Sequence, residues 1–333
     1  MATTRRGRRR RDGSRIATLL GALVLVAALA AAALTAVVLG ESDGGGGDGG
    51  PTPFAGAPAS TTAKAGTARA NAPTPHIYGR APASKTVSVH FAKPPASGLL
   101  VDERTGKVLW SWYPERALPI ASITKMMTAL LTVEHEPADA RVPVTRAAVT
   151  ADGSKVGMLP RGKLVKLETL LYGLLLPSGN DAATALAQKV AHTLPRFVAL
   201  MNQRARQLGL TCTRFASPSG IVDRDNHSCA PDLALLAHEL LAQPRLAKIV
   251  RTPSAVLPLP VKGGKVWLYN NNPLLRLGYP GTIGVKTGYT DLAGHCLVAA
   301  VRRNGKRYGL VLLHSPDTGR QGKRLLDSAF RPG

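Results

Sequence analysis

Pro119-Ile120-Ala121-Ser122-Ile123-Thr124-Lys125-Met126-Met127-Thr128-Ala129-Leu130-Leu131 is the stretch on which the reading of this chain turns. Ile123, Met126, Met127, Leu130 and Leu131 put apolar side chains on more than one helical face, which predicts a helix packed inside a domain. Ser122 and Lys125 are the polar exceptions. They stand three residues apart, so one turn places both on the same face. Ser122 falls near the helix N-terminus, where free backbone N–H groups favour developing negative charge. A lysine in apolar surroundings loses its proton readily, because desolvation disfavours the ammonium. A neutral amine beside a hydroxyl is a base that makes the serine a nucleophile. The spacing alone is a weak signal, since Ser-x-x-Lys arises by chance about once in a few hundred residues.

The chain has 333 residues and a formal charge of +23. Seven arginines and one aspartate give residues 1–15 a net +6, residues 16–40 carry no charge, and residues 41–83 balance, which leaves +17 on residues 84–333. A basic domain points to an anionic partner or surface. Nucleic acid is not expected: aromatics are 5% and no nucleic-acid motif is present. The uncharged apolar run Ile16–Gly40 has 25 residues, beyond the ~7–15 of a signal core and enough for the ~20 of a spanning helix. It predicts a transmembrane anchor at 16–40, with the basic tail 1–15 left in the cytoplasm. The rest of the chain then lies outside a cell membrane crossed once. Cleavage and secretion is the alternative, since Ala31 to Ala36 are small.

Residues 41–83, rich in Gly, Ala, Pro and Thr, bury too little apolar area to order themselves and read as a disordered linker. Residues 84–333 read as one folded domain. Ser97–Asp102 and Lys107–Trp112 flank a turn and predict a hairpin. Helical stretches follow at 166–175, from 181 with Asn180 as N-cap, and at 197–208 and 232–241. Three strand-like runs, 283–287, 295–302 and 307–314, precede a closing helix over 321–330. Strands at both ends with helices between predict an α+β fold whose sheet joins the two ends.

Two further motifs fall in order. Ser178-Gly179-Asn180 lies in a break between helices, and alone it reads equally well as a turn. Lys286-Thr287-Gly288 ends a predicted strand and is rarer, at roughly once in several thousand residues. With Pro119–Ser122, Leu176–Ala183, Phe215–Gly220 and Gly284–Thr290, the chain resembles the serine D-Ala-D-Ala carboxypeptidases, the low-molecular-mass penicillin-binding proteins, from about residue 85 to 330.

That resemblance implies a β-lactamase/transpeptidase-like fold: an antiparallel sheet of about five strands flanked by helices, with an all-α lobe. It implies Ser122 as nucleophile and Lys125 as its base. Ser178 and Thr287 would hold a terminal carboxylate, with Lys286 adding positive potential. Asn180 would orient Lys125 and the substrate amide. N–H groups of Ser122 and of Tyr289, next after Gly288, would form an oxyanion hole. The implied partners are peptidoglycan stem peptides ending in D-Ala-D-Ala, and β-lactams as covalent inhibitors. No cofactor is expected. The eight histidines include no zinc-binding pair, so no metal is expected either.

A β-lactamase of class A shares the motifs but needs a glutamate for its deacylating water; no glutamate stands between Asn180 and His238. A non-enzymatic wall-binding module is the rival from another class, and the basic surface would suit it. Three cysteines are present. Cys212 and Cys229 flank a turn-rich stretch and are a candidate disulfide, whereas Cys296 in an apolar run reads as a buried strand residue.

Overall fold

The computed structural model describes residues 86–221 and 224–331, all of which fall in one compact unit. The expected tail (1–15), anchor (16–40) and linker (41–83) lie outside the described residues. Among the described residues no helix is long and apolar enough to cross a membrane.

The chain begins with the expected hairpin of β1 (Ser97–Asp102) and β2 (Val108–Trp112). Asp102 makes its turn by accepting from the N–H groups of Arg104 and Thr105. Then come β3 (Leu118–Pro119), a 3-10 turn (Ala121–Thr124) and α1 (Lys125–His135). The next elements are β4 (Arg141–Pro143), α2 (Arg146–Val149), β5 (Leu164–Lys166), α3 (Leu167–Leu175), α4 (Asn180–Ala191) and α5 (Leu194–Gln207). After a loop follow β6 (His227–Ser228), α6 (Ala230–Ala242), α7 (Pro244–Val250), β7 (Ser254–Pro258), β8 (Lys265–Tyr269) and α8 (Pro273–Arg276). The last elements are β9 (Thr282–Thr290), β10 (Gly294–Arg303), β11 (Lys306–Ser315) and α9 (Thr318–Phe330).

Five of these strands form one antiparallel sheet in the order β2-β1-β11-β10-β9. The first and last strands of the described residues, β1 and β11, therefore lie directly against each other, with Leu99 opposite Val311. Side chains alternate across the sheet. Leu100, Leu297, Leu310 and Leu312 pack with Leu325 and Leu326 of α9. Leu99, Val101, Val298, Val311 and Leu313 join the helical core on the opposite face. Both faces are covered, which is why β10 and β11 read as unbroken apolar runs rather than alternating ones. Helix α1 is buried from Lys125 to Thr132 and packs against α3, α4, α5 and α6, as its apolar faces predict.

Two local expectations are corrected. Asn180 is not an N-cap: α4 begins at Asn180 itself after Gly179, and its side chain donates to the Asp152 carbonyl instead. Lys286-Thr287-Gly288 does not end a strand, because β9 continues its pairing with β10 to Thr290 opposite Gly294. The β7–β8 hairpin has no counterpart in the sequence reading. Its alternation is present, with Val266 and Leu268 buried and Trp267 and Tyr269 exposed, but Pro258 and Pro260 disguise the first strand.

Cys212 and Cys229 are joined in a disulfide, with Cα atoms 5.9 Å apart. Beside it, Asp232 accepts from Cys212 N at 2.9 Å and Thr213 Oγ1 at 2.6 Å. Cys212, Cys229 and Asp232 are also the one grouping of three metal-ligand side chains among the described residues; the mutual bond of the two sulfurs leaves it no thiolates to offer a metal. Cys296 is buried on β10, as expected.

Candidate active site

Ser122 lies in the middle of the 3-10 turn and Lys125 is the first residue of α1. Lys125 Nζ stands 2.7 Å from Ser122 Oγ. It also donates to the Ser219 carbonyl at 2.7 Å. Lys125 has no solvent exposure. Burial holds its pKa well below the usual lysine value, helped by the charge of Lys286 and opposed by Asp181. The loop carrying Ser219 is tied to the same helix, since Thr128 Oγ1 donates to the Pro218 carbonyl at 2.6 Å. Asn226 Nδ2 donates to Thr124 Oγ1 at 3.0 Å.

Strand β9 passes directly against the serine. A Cβ built on Gly288 would come within 2.7 Å of the Ile120 carbonyl oxygen and 3.2 Å of the Ser122 nitrogen. Only glycine lets the strand approach that closely. Gly220 does the same from beneath, at φ +77 against the Ala121 carbonyl. Lys286 is buried and donates to the Thr287 carbonyl at 2.9 Å. Burial lowers its pKa to about 7.

The Ser178 loop completes the wall. Ser178 holds φ +71, an uncommon conformation for a residue with a side chain. Its hydroxyl is buried without a partner and lines a cleft of about 350 Å³ with Ser122, Thr287 and Gly288. An unpaired buried hydroxyl facing a cavity is a donor ready for a ligand oxygen. Asn180 Nδ2 donates to the Asp152 carbonyl at 2.5 Å, and its Oδ1 is buried and unpaired. In this arrangement Lys125 is oriented by Ser219 rather than by Asn180. Asp181 fixes the opposite lip, accepting from Val156 N at 2.9 Å and Gly157 N at 3.1 Å.

All three motifs therefore converge on one cleft. Tyr289 lies at its rim, 56% exposed, with its ring stacked on His295 at 4.6 Å. Several lining residues carry no sequence-level assignment. Ser154, Asn271, His295 and Thr318 line the cleft, as does Cys296, which pairs with Gly288 in the sheet. Asn271 had a signal, the Asn270-Asn271-Asn272 run before the Lys286 strand. Its N–H donates to the Leu176 carbonyl at 3.2 Å, and its Nδ2 to the Pro177 carbonyl at 3.2 Å. Together they brace the turn that carries Ser178.

The pattern of the family described as D-alanyl-D-alanine carboxypeptidase matches residues 85–317. The chain belongs to that family. It is 34% identical over 250 residues to the D-alanyl-D-alanine carboxypeptidase DacF of Bacillus subtilis, covering 72% of this chain and 62% of that protein. The match therefore spans somewhat less than two thirds of the Bacillus relative. A second relative, the D-alanyl-D-alanine carboxypeptidase DacB2 of Mycobacterium tuberculosis, is 35% identical over 71% of this chain and 82% of its own. Among solved structures, the Streptomyces K15 DD-transpeptidase superposes with a TM-score of 0.68 at 30% identity. That match covers 73% of this chain and 99% of the K15 chain. The fold is the one that the K15 DD-transpeptidase has, as the resemblance implied.

Proposed function

We propose that this chain is a serine D-Ala-D-Ala carboxypeptidase that removes the terminal D-Ala from peptidoglycan stem peptides. The observation that carries this reading is the 2.7 Å approach of a fully buried Lys125 amine to Ser122 Oγ. A lysine kept neutral by burial accepts the serine proton as Oγ attacks the penultimate carbonyl. The N–H groups of Ser122 and Tyr289 stabilise the oxyanion. Ser178 and Thr287 hold the terminal carboxylate, with Lys286 behind them. Terminal D-Ala departs with the proton from Lys125. Water, deprotonated by the same amine, then releases the shortened peptide. Asn180 presents its unpaired Oδ1 to the substrate amide. A penicillin enters the same path and leaves a long-lived acyl-enzyme on Ser122. No step calls for a cofactor.

The test is release of free D-Ala from a peptide ending in D-Ala-D-Ala, with Ser122→Ala beside the wild type. Release by the wild type alone, with penicillin labelling lost in the variant, is the expected result. Binding of wall peptide that survives Ser122→Ala, with no release by either protein, would move the reading to a non-catalytic module.

Transfer to an amine acceptor is a second reading, favoured by one feature. The cleft adjoins a groove of about 420 Å³ that shares Pro273, His295 and Thr318 with it, leaving room beyond the departing residue. The similarity to the Streptomyces K15 DD-transpeptidase agrees with this. Adding a D-amino acid acceptor and measuring exchanged product against hydrolysis separates the two.

We place the catalytic domain on the outer side of a cell membrane, held by residues 16–40 with the N-terminus in the cytoplasm. The support is the 25-residue uncharged run directly after seven arginines. Retention of the full chain in washed membranes is expected. Recovery in the medium as a shortened protein would favour secretion after cleavage.

A further inference from the structure

Ser122 stands at the junction of two open spaces. The first is the cleft toward Ser178, Thr287 and Asn271. The second is a groove of about 470 Å³ that shares Ser122, Ser154 and Tyr289 with the first and is otherwise lined by Asn180, Gly220, Ile221, Asp291 and Leu292 among others. If the first space takes the departing residue and its carboxylate, the acyl half of the substrate must run into the second. This step rests on the carboxypeptidase reading. The stem residue immediately before the reacting D-Ala then lies along the second groove.

The chemistry of that groove is selective. Ile221 and Leu292 give it exposed apolar walls, at 44% and 61% exposure. Among the described residues, Asp291 is the one charged side chain that lines it, and no lysine or arginine does. A lone carboxylate there is notable in a chain of net charge +23. It sits just beyond the end of β9, and its Oδ1 accepts from Tyr289 Oη at 3.1 Å. Among the described residues its other oxygen has no hydrogen-bond donor. Apolar walls leading to a fixed carboxylate suit a long side chain with a methylene stem and a terminal ammonium.

We propose that this groove selects stem peptides whose third residue carries a free side-chain amine, with Asp291 as the specificity-determining residue. A stem already acylated or crosslinked on that amine loses the charge and is discriminated against. The enzyme would thereby act before crosslinking rather than after it.

The test uses the full chain in detergent and a pair of D-Ala-D-Ala peptides with lysine at the third position, one free and one Nε-acetylated. The expected wild-type result is a preference for the free amine of about three- to tenfold in kcat/KM, shrinking as salt is raised. Asp291→Asn keeps the oxygen that accepts from Tyr289. It should equalise the two peptides while leaving the acetylated one within about twofold of wild type. Asp291→Lys should instead prefer an Nε-succinylated peptide, a gain that misfolding does not produce. Equal wild-type rates on the two peptides, or a preference that persists in Asp291→Asn, would overturn the inference and leave the carboxypeptidase reading intact. No D-Ala release from either peptide would overturn both.

Discussion

The carbonyl oxygen of Ser219 accepts a 2.7 Å hydrogen bond from Lys125 Nζ, across 94 residues of sequence. A neutral amine has two N–H donors and one lone pair. Nζ also donates to Ser122 Oγ at 2.7 Å; with Ser219 holding one N–H, loss of the ammonium proton leaves a lone pair within that same reach of the serine hydroxyl. Lys125→Arg introduces a positive charge that cannot be removed at neutral pH. Its acylation by a fluorescent penicillin should fall at least ~10³-fold, within the range expected for loss of a general base. Retention of more than a tenth of the wild-type rate would remove Lys125 from that role.

The two buried lysines give the reaction a pH signature. Acylation requires neutral Lys125, so its rate rises as pH climbs through that lowered pKa. Lys286 attracts a carboxylate only while charged, and its pKa is lowered to about 7. For a peptide with a free C-terminal carboxylate, kcat/KM should fall on the alkaline side, beginning near that value. The C-terminal amide of the same peptide should lack the alkaline limb. Identical profiles for the two would mean that Lys286 does not act on the carboxylate.

Stability follows from the same two residues. Between about 7, the folded value for Lys286, and 10.5, its ordinary value, the unfolded chain binds more protons than the folded one. Stability therefore rises with pH across that window, and the burden of the buried charge is full below it. Wild type should gain on Lys286→Met in thermal unfolding between pH 7 and 9. A constant difference across that range would contradict the linkage.

Gly288→Ala tests the close approach of β9 to the serine. The added methyl meets the Ile120 carbonyl oxygen at 2.7 Å, and neither group is a movable side-chain tip. Either the strand or the Ser122 turn must shift by several tenths of an ångström. Penicillin acylation should drop by about tenfold or more, toward the ~10²-fold that a misplacement of about 1 Å costs. A melting temperature lowered by only a few degrees would place the damage at the site rather than in the fold.

Asn271→Ala removes the side-chain brace on the Pro177 carbonyl. Ser178 is held at positive φ by its surroundings, so loosening the turn should cost about tenfold in kcat/KM. Because Ser178 is assigned to substrate binding, the loss should fall on KM more than on kcat. An unchanged KM would show that the loop holds Ser178 without help.

Reduction of Cys212–Cys229, which closes a loop with a sequence separation of 17, should cost about 3 kcal/mol in the chain-entropy estimate. In a domain of this size that is a melting temperature lowered by roughly 6–12 °C. Scanning calorimetry with and without reductant reads it directly.

Ser122, Lys125 and the two further motifs that share their cleft were legible because each is a short run of residue types bound to a local shape. Ser122 and Lys125 share a face through helical geometry, a matter of three residues. The strand-like runs at both ends of the domain and the all-round apolar α1 likewise announced a sheet that joins those ends and a buried helix. The rest of the site is made of contacts that no local pattern encodes. Ser219 reaches Lys125, Asn271 braces the Ser178 turn, and Gly288 is pressed on Ser122, each from a distant part of the chain. A backbone carbonyl has no sequence signature, so nothing marked Ser219 as the group that aims the amine. The same holds for Asp291, whose place in the groove beside Ser122 appears only once β9 is laid against the turn that carries Ser122. The sequence by itself determined which chemistry is available, because residue type and short spacing set reactivity. Only the tertiary structure decided how Lys125 is aimed and which faces the substrate meets, because packing alone brings separated segments within hydrogen-bond reach.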